Sequence, residues 1–299
     1  MKNVTFSTVV CIIKLLIYYV IYQGVFTILP MMAAVIYGIS TGSLTLETFT
    51  SMDSDVMVAL GDYGIWAMAL GLFLSAVVMM WHISHFGYFN FGPKPLKQVK
   101  GSILLLSVVL IFATMVTFNI FAQWAGLPDM HANVMEGLSK NIVGVLAIAV
   151  AAPVLEEMLF RGAIQGMLMR RFSNPWVGII IASLIFGAIH MNPIQVFYAT
   201  MLGLVFGWIY YRTGSLVPVV IGHVLNNSMA AATMFFGLEE EEMAASFSAE
   251  LVMAISAAVV AVVMAYFINK LQPSVPKPWH AAGEELQVEV EEPLPSANA

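Results

Sequence analysis

Charge is scarce in this chain. Asp, Glu, Lys and Arg make up 10% of its 299 residues, while 60% are hydrophobic; soluble domains run near one quarter charged. That balance excludes an ordinary soluble enzyme and points to a polytopic membrane protein. Cysteine is almost absent. The single Cys11 excludes an intrachain disulfide, and its apolar surroundings suit a small packing residue. Basic patches interleaved with aromatics are missing, so nucleic acid is not an expected partner. The net charge of −6 says little about partners, because an acidic loop and an acidic tail carry much of it. The first apolar segment has no small-residue cleavage site and more apolar sequence follows it, so it is read as a retained helix.

What the chain has in quantity is long apolar runs. A span takes about 20 apolar residues, and on that criterion the sequence predicts about eight transmembrane helices, near 5–37, 61–83, 102–123, 141–168, 176–190, 194–211, 216–236 and 249–268. The expected fold is all-α, a polytopic helical bundle. The first run is long for one span and is expected to kink or tilt near Pro30. The organisation reads as N-terminal membrane helices over 1–140, a core over 141–236, an acidic loop and last helix over 237–270, and a disordered Pro- and Glu-rich tail over 271–299.

The loops supply an orientation. Lys94, Lys97, Lys100, Arg170, Arg171, Arg212, Lys270 and Lys277, with Lys2 ahead of the first helix, fall on one side if there are eight crossings. Glu47, Asp53, Asp55, Asp129 and the run 239–242 fall on the other, with Lys140 as the exception. The positive-inside rule then puts both termini in the cytoplasm, in a membrane expected to be a bacterial inner membrane. The fifth helix is short: about 22 Å at 1.5 Å per residue, against a hydrocarbon core of about 30 Å. "HMNP" follows it, with Pro193 unable to donate a backbone hydrogen bond. The fifth and sixth helices are therefore expected to form a short hairpin turning within the membrane thickness, where irregular backbone needs protein or a water-filled cavity around it. His190 sits at that break.

Ionisable groups inside spans are costly and mark function. The segment "APVLEEMLFRG" carries Glu156, Glu157 and Arg161. Glu157 and Arg161 are four apart, in the favourable order for a helical ion pair. Glu156 points about 100° away and is left unpaired by its own helix, available as a general base. In "HVLNN", His223 and Asn227 share a face, and in "FGAIH" Phe186 covers the face from which His190 emerges. Together these groups could hold a water and stabilise an oxyanion, or bind zinc through Glu156, His190 and His223. Each has a bland counterpart: a satisfied core histidine, a structural ion pair, or Asn227 as interhelical glue. Their co-occurrence on three helices favours a functional site, either a hydrolase or a proton or ion pathway. Other features read as structural. Lys14 snorkels or makes a polar contact inside the bundle. His82 and His85, with Trp81, Phe86 and Tyr88, read as an interfacial belt.

At these residues the sequence resembles the CPBP family of intramembrane proteases, which includes type II CAAX prenyl endopeptidases and bacteriocin-processing and self-immunity proteins. The three motifs that carry the resemblance are EExxxR (Glu156, Glu157, Arg161), FxxxH (Phe186, His190) and HxxxN (His223, Asn227). The text "GLVFGWIYYRTGSLVPVVIGH" adds to it, over roughly 143–232. Each motif alone is weak; three in order within one membrane domain are specific. The resemblance implies a protease core over 141–236. Glu156 and His190 would activate a water, His223 and Asn227 would stabilise the oxyanion, and Glu157, Arg161 and Phe186 would support them. It leaves open zinc or no metal, and no HExxH motif is present. The implied substrate is a membrane-associated or lipid-modified protein or peptide. The alternatives are a non-catalytic scaffold, regulator or immunity protein, and a proton-coupled carrier.

Overall fold

In a computed structural model the chain is described over residues 2–45, 55–94, 96–237, 246–276 and 279. Glu47, Asp53, the acidic run 239–242, Lys277 and the tail from 280 lie outside the described residues, and Asp55 is described by its backbone alone. Among the described residues there is no strand, and helices account for the whole architecture. They are α1 (Lys2–Thr41), α2 (Asp55–His85), α3 (Gly101–Trp124), α4 (Ala132–Ser139), α5 (Ile142–Arg171), α6 (Pro175–Ala188), α7 (Pro193–Thr213), α8 (Val217–Phe236) and α9 (Phe247–Leu271). A single 3₁₀ turn, Tyr88–Phe91, follows α2.

Seven of these helices are long and apolar enough to cross a membrane; α6, at 14 residues, is the short one the sequence predicts. All eight expected helices are present, and α4 is an addition the apolar-run criterion could not find, because its eight residues are mixed in polarity. α1 is longer than expected and runs through Pro30 without a break, so the predicted kink does not interrupt it. The break falls instead at Gly61, whose φ of 49° and ψ of −132° lie outside helical values. Glycine takes such a conformation without a steric penalty.

Side-chain contacts fix which loops share an end of the bundle. Ser215, after α7, donates through its hydroxyl to Lys97 O, before α3. Arg212 donates to the carbonyls of Asn269 and Gln272 at the end of α9. These residues, with the C-terminal end of α5, define a basic end. At the other end Trp124 Nε1, closing α3, donates to Glu250 Oε2 in the first turn of α9 at 2.7 Å. There also Asn192, between α6 and α7, donates to Asp129 Oδ1 at 2.8 Å and accepts from Met130 N at 3.1 Å. This is the acidic end. The helices alternate between the two ends as an even number of passes requires. The α6–α7 turn is pinned to the α3–α4 connection, and α4 folds back against α8. Just before Asn192, Met191 holds a left-handed φ of 50°, which side-chain-bearing residues adopt at a cost.

Two expectations change at the basic end. The chain beyond Gln272 does not leave the bundle at once: Trp279 is buried against Tyr210, with ring centroids 5.5 Å apart. His82 is not an interfacial group. It is buried, accepts from or donates to Tyr22 Oη through Nδ1 at 3.0 Å, and lies among Tyr18, Phe86 and Tyr88. His85 stays exposed and stacks on Trp81, and Lys14 is exposed on α1.

Close helix contact around the core depends on glycine. On α7, Gly203 and Gly207 form a GxxxG pair, a spacing that lets membrane helices approach closely. A Cβ at Gly207 would lie 2.7 Å from Gln165 Oε1, and one at Gly203 would lie 3.2 Å from Arg161 NH2. On α6, a Cβ at Gly187 would collide with the Thr200 hydroxyl and sit 2.7 Å from Val196 O. Gly187→Ala should therefore overpack the α6–α7 hairpin and cost about 1–3 kcal/mol, read as a lowered unfolding midpoint in detergent; an unchanged midpoint would contradict this packing.

Candidate active site

The segment "APVLEEMLFRG" is not a plain α-helix. π-helical stretches, Leu146–Ala151 and Glu157–Gln165, flank the α-helical Ala152–Glu156. Such widened turns are rare and frequent at functional sites. Here sequence explains one of their effects. Ala152 N–H reaches back to Ala147 O, and Pro153 has no N–H to offer. The Ile148 carbonyl is left to a partner from another helix, and Asn227 Nδ2 on α8 donates to it at 2.9 Å.

Glu157 is fully buried. Its Oε1 accepts from Arg161 NH1 at 2.9 Å, the four-residue pair that the spacing predicts. The same oxygen also accepts from His223 Nδ1 at 2.9 Å, a contact invisible in either motif alone. A carboxylate can only accept here, so Nδ1 carries the proton and Nε2 faces the other way. That nitrogen lies 3.6 Å from Glu156 Oε2. Glu156 is thus unpaired within its own helix, as expected, and meets His223 across the bundle. The two carboxylates stand on opposite nitrogens of one imidazole.

Phe186 holds the other side together. Its ring lies under the Arg161 guanidinium, 4.4 Å from carbon to centroid, and Phe206 lies on the same cation at 5.2 Å. Aromatic faces attract a desolvated cation in this way. The Phe186 ring meets His190 edge-on, and its backbone carbonyl accepts from His190 Nδ1 at 2.8 Å. A carbonyl cannot donate, so Nδ1 is the protonated nitrogen and Nε2 is left with its lone pair. Phe186 was expected merely to cover a face; it orients a histidine and an arginine at once.

All four expected catalytic side chains, Glu156, His190, His223 and Asn227, line one cavity of about 410 Å³. Glu157 and Arg161 lie behind its wall. Of the cavity residues that sequence reasoning did not single out, two bond to the Asn227 amide network. Asn226 Nδ2 donates to Asn227 Oδ1 at 2.7 Å, and Tyr198 Oη donates to Asn226 Oδ1 at 2.8 Å. The doubled asparagine in "HVLNN" was the available signal. Tyr198 offers none, because a tyrosine in an apolar helix is ordinary packing. For metal, the fit is poor: among the described residues no three His, Cys, Asp or Glu side chains gather in a way that could hold an ion. His223 spends Nδ1 on Glu157, and Glu156, His190 and His223 share the cavity without forming a ligand set.

With that geometry in place, the comparisons fit it. Residues 138–229 match the family model described as Type II CAAX prenyl endopeptidase Rce1-like. That segment holds Glu156, Glu157, Arg161, Phe186, His190, His223 and Asn227. Among curated proteins the chain is similar to UPF0177 protein YaiH of Lactococcus lactis subsp. lactis, 26% identical over 56% of this chain and 70% of that one. It is also similar to the Bacillus subtilis protein named "Putative membrane peptidase YdiL", 29% identical over 28% of this chain and 34% of the relative. UPF0177 protein YajF of L. lactis subsp. lactis matches at 24% identity over 50% of this chain and 74% of its own length. No solved structure matches.

The arrangement separates two kinds of glutamate by their cost. Arg161→Ala would leave the Glu157 charge buried without its cation, and should destabilise by about 3–5 kcal/mol. Glu156→Gln keeps shape at the cavity wall and should change stability by less than about 1 kcal/mol. Thermal unfolding of both variants in the same detergent checks the contrast, and equal losses would refute it.

Proposed function

We propose that this protein is an intramembrane endopeptidase of the CPBP type that hydrolyses a peptide bond of a membrane-associated protein or peptide. The observation that carries the reading is the cavity in which Glu156 from α5, His190 from the end of α6, and His223 and Asn227 from α8 converge. A water in it would be held between the Glu156 carboxylate and the unprotonated Nε2 of His190. Glu156 takes a proton from the water as its oxygen attacks the peptide carbonyl carbon. The developing oxyanion is met by the second amide hydrogen of Asn227, the first being given to Ile148 O, and by a proton on His223 Nε2. Glu157 on the opposite ring nitrogen supports the positive imidazolium that this requires. Collapse breaks the C–N bond, and Glu156 returns its proton to the leaving amine. Preorganised donors of this kind, working where water is excluded, supply the largest share of such rate enhancements.

In this reading no step needs a metal, since the base, the proton carrier and the oxyanion donors are all side chains. The basic end, which carries Lys97, Arg212 and Lys270, faces the cytoplasm by the positive-inside rule, with both termini there.

Glu156→Gln should lower the turnover number by about 10²–10⁴-fold and let uncleaved membrane peptides accumulate in cells, read by mass spectrometry against the wild type. A cellular phenotype that survives this change at normal protein level would favour a non-catalytic scaffold instead. Hydrolysis should persist after exhaustive chelation, whereas one tightly bound zinc per chain, lost together with activity, would overturn the metal-free mechanism.

A further inference from the structure

The cavity has a direction. On α5 its lining runs over residues 147–156 and stops at Glu156; on α7 it runs over 195–206; on α8 over 223–234. α5 starts at the acidic end and α8 at the basic end, yet in both the lined part is the half nearer the acidic end. α7, which starts at the acidic end, agrees. Met135 of the short α4 and Gln195 beside the pinned α6–α7 turn stand at the same end of the lining. Toward the basic end the site is floored by Phe160, Arg161 and Phe206, each 1% exposed or less. Among the described residues the lining thus extends from Glu156 toward the acidic end, with buried side chains beneath it.

The lining also has a chemistry. Among the described residues no Lys or Arg lines it, and Glu156 is the one carboxylate that does. The cation a substrate carboxylate would meet here is the His223 ring, already held between Glu156 and Glu157, so an entering charge would lose its water without a free partner, a penalty of the kind that forbids unpaired buried charge. The walls instead carry side-chain amides, Gln23, Gln195 and Asn226, among apolar groups. Gln23 accepts from Ser75 Oγ at 2.9 Å, which leaves its NH₂ to donate. Amides on apolar walls suit the N–H and C=O groups of an extended backbone with uncharged side chains.

We propose that the substrate is an internal, uncharged stretch of extended peptide presented on the outer, non-cytoplasmic side of the membrane, rather than a free C-terminus offered from the cytoplasm. The proposal rests on the endopeptidase reading and on the positive-inside orientation.

Two measurements test it with the full-length protein. In a Cys11→Ser background, Ala230→Cys places a thiol on the upper cavity wall and Gln98→Cys places one in the loop at the basic end. A membrane-impermeant charged maleimide should label Ala230→Cys on intact spheroplasts and Gln98→Cys only in inside-out vesicles. Labelling of Ala230→Cys only from the vesicle side, or from neither side, overturns the proposal. The second measurement uses purified protein and quenched fluorescent peptides with an uncharged apolar centre. The C-terminal amide should be cut at least as fast as the free acid, and a glutamate placed next to the scissile bond should lower kcat/KM by about tenfold or more. Preference for the free acid would overturn this proposal alone. If the wild type cuts no such peptide while labelling follows the expected pattern, the endopeptidase reading itself falls.

Discussion

The Glu157 carboxylate is the constraint on which the rest depends. It is fully buried, and it survives burial because one oxygen takes hydrogen bonds from Arg161 and His223 together. Burying a charge is tolerated only when it is paired and hydrogen-bonded. The pairing then propagates. Arg161 must lie where Glu157 can reach it, and Phe186 and Phe206 must close over its guanidinium. Those two rings fix α6 and α7 against α5. His223 must turn Nδ1 toward Glu157, which aims Nε2 at Glu156. An interaction behind the cavity wall thus sets the geometry of the groups that line the cavity.

Backbone irregularity cooperates with this charge network. The π turns around Glu156 and the missing N–H of Pro153 free a carbonyl inside an otherwise self-satisfied helix. In an apolar setting that carbonyl needs a donor, and Asn227 supplies it. The same contact orients Asn227, whose oxygen accepts from Asn226, itself held by Tyr198. Glycines on α7 make this economy possible, since a larger residue at 203 or 207 would push α7 away from Arg161 and Gln165.

The membrane setting explains the placement of the cavity. α6 is too short to match a span, and its turn is pinned to Asp129 and Met130 rather than exposed to lipid. The cavity accordingly lies in the half of the described helices nearer the acidic end. A cavity whose mainly apolar walls carry amides, histidines and a carboxylate is also where irregular backbone can be tolerated at membrane depth.

Sequence alone determined the all-helical membrane class, the short sixth element and the Glu157–Arg161 pair, because apolar run length and four-residue spacing are local properties. It also picked out Glu156, His190, His223 and Asn227, since polar groups stand out against an apolar background. Only the tertiary structure decided who meets whom. That Glu157 holds His223, that Phe186 cradles Arg161, that Trp279 returns to Tyr210 and that the cavity lining lies toward one end all depend on contacts between segments far apart in the chain. A repeat of 3.6 residues fixes the face of a helix on which a side chain stands, and it carries no record of which other helix will be packed against that face.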